Sequence, residues 1–118
     1  RLVSDWSSDV CSSDLLNDIL DAIAIVENDV RGLDETSFLD DGKTQRSVLY
    51  SLSVIGEAAA KLSPETQNQC PNISWQDVKG MRNYIIHEYF RVNLDIVWDA
   101  IYSDLPRLKA AIVSILRT

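Results

Sequence analysis

Leu16, Ile19, Leu20, Ile23, Val26 and Val30 recur at i, i+3, i+4 and i+7. That spacing lines one face of an α-helix. The same period returns in Val48, Leu52, Ile55, Ala59 and Leu62. It returns again in Leu94, Val97, Ile101, Leu105, Leu108, Ile112 and Ile115. A shorter set, Trp75, Val78, Met81, Ile85 and Ile86, lies between them. No segment alternates apolar and polar residues convincingly enough to read as a strand. The four stripes predict an all-α fold, an antiparallel bundle of four main helices with short extra helices.

The stops and starts agree with this division. Gly32, just past Arg31, ends the first helix. Leu33–Lys43 reads as an acidic connector with one short turn at Ser37–Leu39. The second helix spans about Thr44 to Leu62; its small residues Gly56, Ala58, Ala59 and Ala60 allow close helix approach, but are equally ordinary core. Ser63 and Pro64 suit the N-cap and first position of a short helix that ends by Cys70-Pro71. Ser74, with Asp77 three residues on, reads as the cap of a third helix running to about Phe90. Asn93 caps a fourth. Pro106 lacks an amide hydrogen, which predicts a kink near Ser103–Asp104.

With 118 residues and a hydrophobic fraction of 46%, the chain is long enough for one domain with a real core. Its net charge of −7 argues against a broad basic nucleic-acid platform, though not against a local phosphate site. No apolar run approaches the ~18 residues of a membrane span. Two cysteines, Cys11 and Cys70, without a secretory signal suggest a reducing, cytoplasmic setting and no disulfide framework. Residues 1–15 stand apart. They hold five serines, repeat Ser-Ser-Asp, and show no helical or strand period. Asp5–Leu15 resembles one reading frame of a short-read sequencing adapter. Residues 1–15 are therefore set aside as a non-native tail, a natural tail being the alternative, and residues 16–118 as the helical domain.

Few chemistries remain open. His87 is the single histidine, so a site built on several His and Cys ligands is nearly excluded within one protomer, and no metal or other cofactor is expected. There is no glycine-rich phosphate loop and no Gly-x-Ser-x-Gly elbow. Asn72-Ile73-Ser74 reads as a loop and cap rather than a glycosylation acceptor, and Cys70 as a packing thiol rather than a nucleophile.

The stretch Gly80–Phe90 collects what is left. Arg82 offers a permanent charge and a fork of donors for phosphate. His87 brings an imidazole, a side chain that can take up and give back a proton. Asn83 and His87, four apart, share a helix side. Arg82 and Tyr89, seven apart, fall about 20° from each other on a continuous helix, whereas Arg82 and His87 diverge by about 140°. One phosphate would not meet both by ideal geometry alone. On chemistry alone, a lone Arg and His on an amphipathic helix are more often a surface charge and a satisfied polar group. Tyr89 is then an aromatic contact at a helix end.

Arg82-x4-His87-x-Tyr89 resembles the Arg-x4-His-x-Tyr motif of the HepT-like toxins of the HEPN superfamily. Ile55-Gly56-Glu57-Ala58-Ala59, Leu62-Ser63-Pro64, Trp75-Gln76-Asp77, Gly80-Met81-Arg82-Asn83 and Asp104-Leu105-Pro106 extend the likeness, in order, over about Leu16 to Leu116. It departs only at the start, where the tail replaces the natural beginning of the first helix. The resemblance implies a homodimeric, metal-independent endoribonuclease toxin of a toxin–antitoxin system. It would leave a 2′,3′-cyclic phosphate and a 5′-hydroxyl. In that reading Arg82 and His87 are catalytic and Asn83 supports them. Tyr89 is the residue to which a minimal nucleotidyltransferase antitoxin, MntA-like, transfers AMP. The competing expectation is a non-catalytic helical dimer that binds nucleotide, RNA or a nucleotidyltransferase partner.

Overall fold

The computed structural model describes residues 12–117. Among them every regular element is a helix, with no strand. The helices are α1 (Ser12–Asp29), α2 (Glu35–Leu39), α3 (Gly42–Lys61), α4 (Pro64–Asn68), α5 (Trp75–His87), α6 (Leu94–Asp99) and α7 (Leu105–Arg117). A 3₁₀ turn, Tyr89–Arg91, follows α5, and a π-helical segment, Ala100–Asp104, joins α6 to α7. The all-α bundle expected from the four stripes is the observed fold.

α3 is the central helix. It packs on α1 and on α5, and α7 closes against α1. Val48, Leu49, Leu52, Ile55, Ala58 and Ala59 of α3 are all buried, on a wider arc than a single stripe. A helix gripped from two sides needs that wider apolar face. Ile19, Ile23 and Val26 of α1 and Leu105, Leu108 and Ile112 of α7 complete the core, as their spacing predicted.

Most of the first fifteen residues lie outside the described part, but Ser12–Leu15 form the first turn of α1. Leu15 is buried, and the Thr66 hydroxyl donates to Ser12 Oγ at 2.9 Å. Gly32 sits at φ +80°, a left-handed conformation that costs a glycine little, and ends the α1 turn. No helix among the described residues is long and apolar enough to cross a membrane.

Several local expectations need correction. The connector holds a full short helix, α2, rather than one turn. Asp34 caps it by accepting from the Ser37 amide at 2.8 Å, and Phe38 anchors it in the core. α3 begins at Gly42 because Asp41 takes the Thr44 amide and hydroxyl, at 3.1 and 2.7 Å. These bonds favour the ionised carboxylate and hold Asp41 below its ordinary range. Ser63 caps α4 as expected. Ser74 precedes α5, but its side chain makes no capping hydrogen bond. The Trp75 indole N–H instead ties the start of α5 to the Gln67 and Cys70 carbonyls, at 2.9 and 3.2 Å.

The irregularity expected before Pro106 takes the form of the π-helical segment. The Leu105 amide reaches back five residues to the Ala100 carbonyl. Proline leaves the preceding turn without one α-helical bond, and the wider π turn re-pairs the backbone there. Ile101 and Leu105 stay buried across the change.

Candidate functional site

α5 ends at His87, short of the Phe90 expected from sequence. Glu88, at φ −118° and ψ 24°, leaves helical conformation, and Val92 is already extended ahead of the Asn93 cap. The Tyr84 hydroxyl accepts the Asn93 backbone N–H at 3.0 Å and holds the chain in this turn. Tyr89 therefore lies in the 3₁₀ turn and not on α5. The near alignment with Arg82 expected of one continuous helix does not apply.

Arg82, Asn83 and His87 all sit on α5. Ile85 is buried against the core, and Val78 and Met81 pack against it in part. Those contacts fix which face of α5 turns outward. Ile86, expected to point inward, is 52% exposed. Neighbouring residues on a helix lie about 100° apart, so Ile85 and Ile86 cannot both face α3. Asn83, His87 and Tyr89 are exposed.

Arg82 is the partly buried member. Its Nε lies 3.9 Å from Glu57 Oε1 on α3, with 42% of the Arg82 side chain exposed. So open and long a pair contributes little to stability. It leaves the guanidinium free to exchange one anion for another. Directly before Glu57, Gly56 is buried where α3 meets α5.

The surface around the motif is apolar and uncovered. Phe90 is 96% exposed and stacks edge-on against Tyr89, their ring centroids 5.4 Å apart. Arg91 adds an exposed charge at the end of the same turn. A cleft of about 430 Å³ opens elsewhere on α5, lined by Asp77, Val78, Met81, Asp99, Asp104 and Arg107 among others. None of Arg82, Asn83, His87 and Tyr89 lines it.

The other sequence candidates are structural. Cys70 donates from Sγ to the Ala111 carbonyl at 3.4 Å, and burial pushes its thiol above the ordinary range. A thiol so placed ties the loop to α7 and is a poor nucleophile. Among the described residues no group of three or more His, Cys, Asp or Glu is placed to hold a metal ion. Sequence reasoning did not identify Glu57 or Gly56 as neighbours of the motif, nor Tyr84 as the group that ends its helix. Their roles depend on which element faces which, and only the small size of Gly56 was a visible signal.

A helical bundle that presents Arg82, Asn83 and His87 on one helix, with Tyr89 in the turn after it, defines a class of HEPN-like domain. The chain belongs to the ribonuclease HepT-like family, whose profile matches residues 19–115. It is 36% identical over 96 residues to the probable ribonuclease HepT of Thermococcus cleftensis, covering 81% of this chain and 87% of that one. A candidate RNase of Caldanaerobacter subterraneus is 33% identical over 102 residues, covering 86% and 91%. One of Methanocaldococcus jannaschii is 35% identical over 91 residues, covering 77% and 75%. No solved structure matches the chain.

Proposed function

We propose that this protein is a metal-independent endoribonuclease, the toxin of a bacterial or archaeal toxin–antitoxin system, active as a cytoplasmic homodimer. The observation that carries the reading is that Arg82, half-exposed, and His87, exposed, both lie on the second half of α5, within the region shared with relatives described as ribonucleases. His87 takes the proton of a ribose 2′-hydroxyl as that oxygen attacks the adjacent phosphorus. Arg82 stabilises the charge that gathers on the phosphate oxygens. The bond to the 5′-oxygen breaks, that oxygen acquires a proton, and a 2′,3′-cyclic phosphate remains. Asn83 supports the phosphate or the imidazole by hydrogen bonding.

The dimer is supported by the bare apolar rim. Ile86 and Phe90 lie uncovered beside the motif, and large exposed apolar patches mark surfaces that meet a partner. Two copies meeting there bring two arginines and two histidines to one cleft. That relieves the divergence of Arg82 and His87 on a single helix. Residues 1–15 we read as non-native, on the repeated Ser-Ser-Asp and the adapter-like string.

Purified dimer should cleave single-stranded RNA equally well with and without chelator, and its products should end in 2′,3′-cyclic phosphate and 5′-hydroxyl. Loss of cleavage with chelator, or 3′-hydroxyl products, overturns this mechanism. The net charge of −7 favours the rival reading of a non-catalytic binding dimer. Intact RNA after incubation with a verified dimer would establish that rival.

Tyr89 is the site proposed for neutralisation by a minimal nucleotidyltransferase partner. The phenolic oxygen attacks the α-phosphorus of ATP, pyrophosphate leaves, and the phenol loses its proton. The AMP group adds bulk and negative charge in the turn that follows the catalytic helix. Incubation with the partner, ATP and magnesium should add AMP groups, read by mass spectrometry, to the peptide holding Tyr89. Cleavage should fall in step, and Tyr89→Phe should resist neutralisation. AMP on another residue, or on none, removes Tyr89 from the role.

A further inference from the structure

Gly56 occupies the closest approach of α3 to α5, and it does so against Arg82 itself. A Cβ built at Gly56 would stand 3.0 Å from Arg82 Cβ, 3.0 Å from the Arg82 backbone nitrogen and 3.0 Å from the Val78 carbonyl oxygen. That is tighter than ordinary van der Waals contact. Two of the three atoms are backbone and cannot swing aside. They are also the two ends of one helical hydrogen bond, since the residue 82 amide pairs with the residue 78 carbonyl in an α-helix. The contact falls on the bond that sets the position of Arg82.

We infer that Gly56 is a positioning residue for Arg82: its missing side chain seats the motif helix on α3 at the depth where the arginine meets the phosphate. The inference rests on the ribonuclease reading and names a residue through which that site is set. The neighbouring Glu57 reaches the same guanidinium from the same turn of α3, so one step of α3 meets both the backbone and the head of Arg82. Any side chain at position 56 lifts or tilts α5 at residue 82. His87 lies five residues further along α5, and none of its atoms is among the three nearest to that Cβ. The arginine is therefore displaced relative to α3 and Glu57, and relative to a second copy across the cleft. The contact asks α5 to give by a few tenths of an ångström, and since a 1 Å misplacement can cost on the order of 10²-fold, a several-fold loss is the scale to expect.

The test is Gly56→Ala in the full chain. Expected are a several-fold fall in kcat, about three- to tenfold, and a pH–rate profile with unchanged inflections, because the proton-transfer group is untouched. Ile112→Val, a buried change in α7 remote from the motif, supplies a destabilised control. Assayed well below both melting midpoints, it should keep wild-type kcat. In an Arg82→Lys background Gly56→Ala should cost much less than in wild type, in kcat or, where that background does not cleave, in oligonucleotide affinity. Affinity for a non-cleavable 2′-deoxy oligonucleotide, read by fluorescence anisotropy, should fall several-fold with Gly56→Ala. Wild-type kcat and affinity in Gly56→Ala overturn the inference, as does the full rate loss repeated in the lysine background. If Gly56→Ala does not fold, Gly56→Ser takes its place; failure of both to fold overturns a positioning role in favour of a packing one. Wild-type chain that binds the oligonucleotide but does not cleave RNA defeats the ribonuclease reading alone, and the binding arm then decides Gly56. Wild-type chain that neither cleaves nor binds overturns both.

Discussion

Arg82→Ala and His87→Ala should each abolish RNA cleavage while leaving the melting midpoint almost unchanged. Loss of a proton-transfer group commonly costs about 10²–10⁴ in rate, and loss of a preorganised donor to a developing anion about 10²–10³. The fold should hardly notice. His87 is exposed at the end of α5, and Arg82 loses only a long, open contact with Glu57. Such surface changes usually stay within about 0.5 kcal/mol. Single-turnover cleavage and thermal melts of the three proteins measure both halves. Wild-type rates in both variants would remove the nuclease assignment.

Phe38→Ala should produce the opposite pattern, a large loss of stability from a residue far along the chain from the motif. Phe38 is 0% exposed, and its ring lies 5.2 Å from that of Trp98, centroid to centroid. Trp98 in turn stacks on Tyr102 at 4.6 Å. Truncating a buried phenylalanine costs about 3–5 kcal/mol, from lost burial and the cavity left behind. A domain of this size has about 5–15 kcal/mol in total. The midpoint should drop by roughly 10 °C or more. Leu39→Ala, next along but 40% exposed, should have a much smaller effect. Equal shifts for the two would show that α2 is not anchored through Phe38.

What could be read before the fold was known followed from periodicity and caps. Ile23, Ile55 and Ile112 announce their burial because each repeats within its own helix. Asn93 and Ser63 announce helix starts because a cap is a bond over two or three residues. Ile86 does not: only the packing of α5 on α3 chooses Ile85 over it. The early end of α5 was equally hidden. It depends on a tyrosine hydroxyl meeting an amide nine residues away, and no local period encodes that meeting. Arg82, His87 and Tyr89 were visible as a spaced motif. Gly56 was visible as small, but not as the surface on which Arg82 rests.

The bond between Tyr84 and Asn93 has a consequence for Tyr89. It closes residues 84–93 into a ring, so Tyr89 is a bead on a loop with both ends tied rather than a tag on a free tail. A tied loop has little slack with which to present its tyrosine to another enzyme or to bring it back. Its two anchors are the last turn of α5 and the cap of α6. The phenol of Tyr84 acts as the buckle of that loop, and a group added at Tyr89 would sit midway between two fixed points.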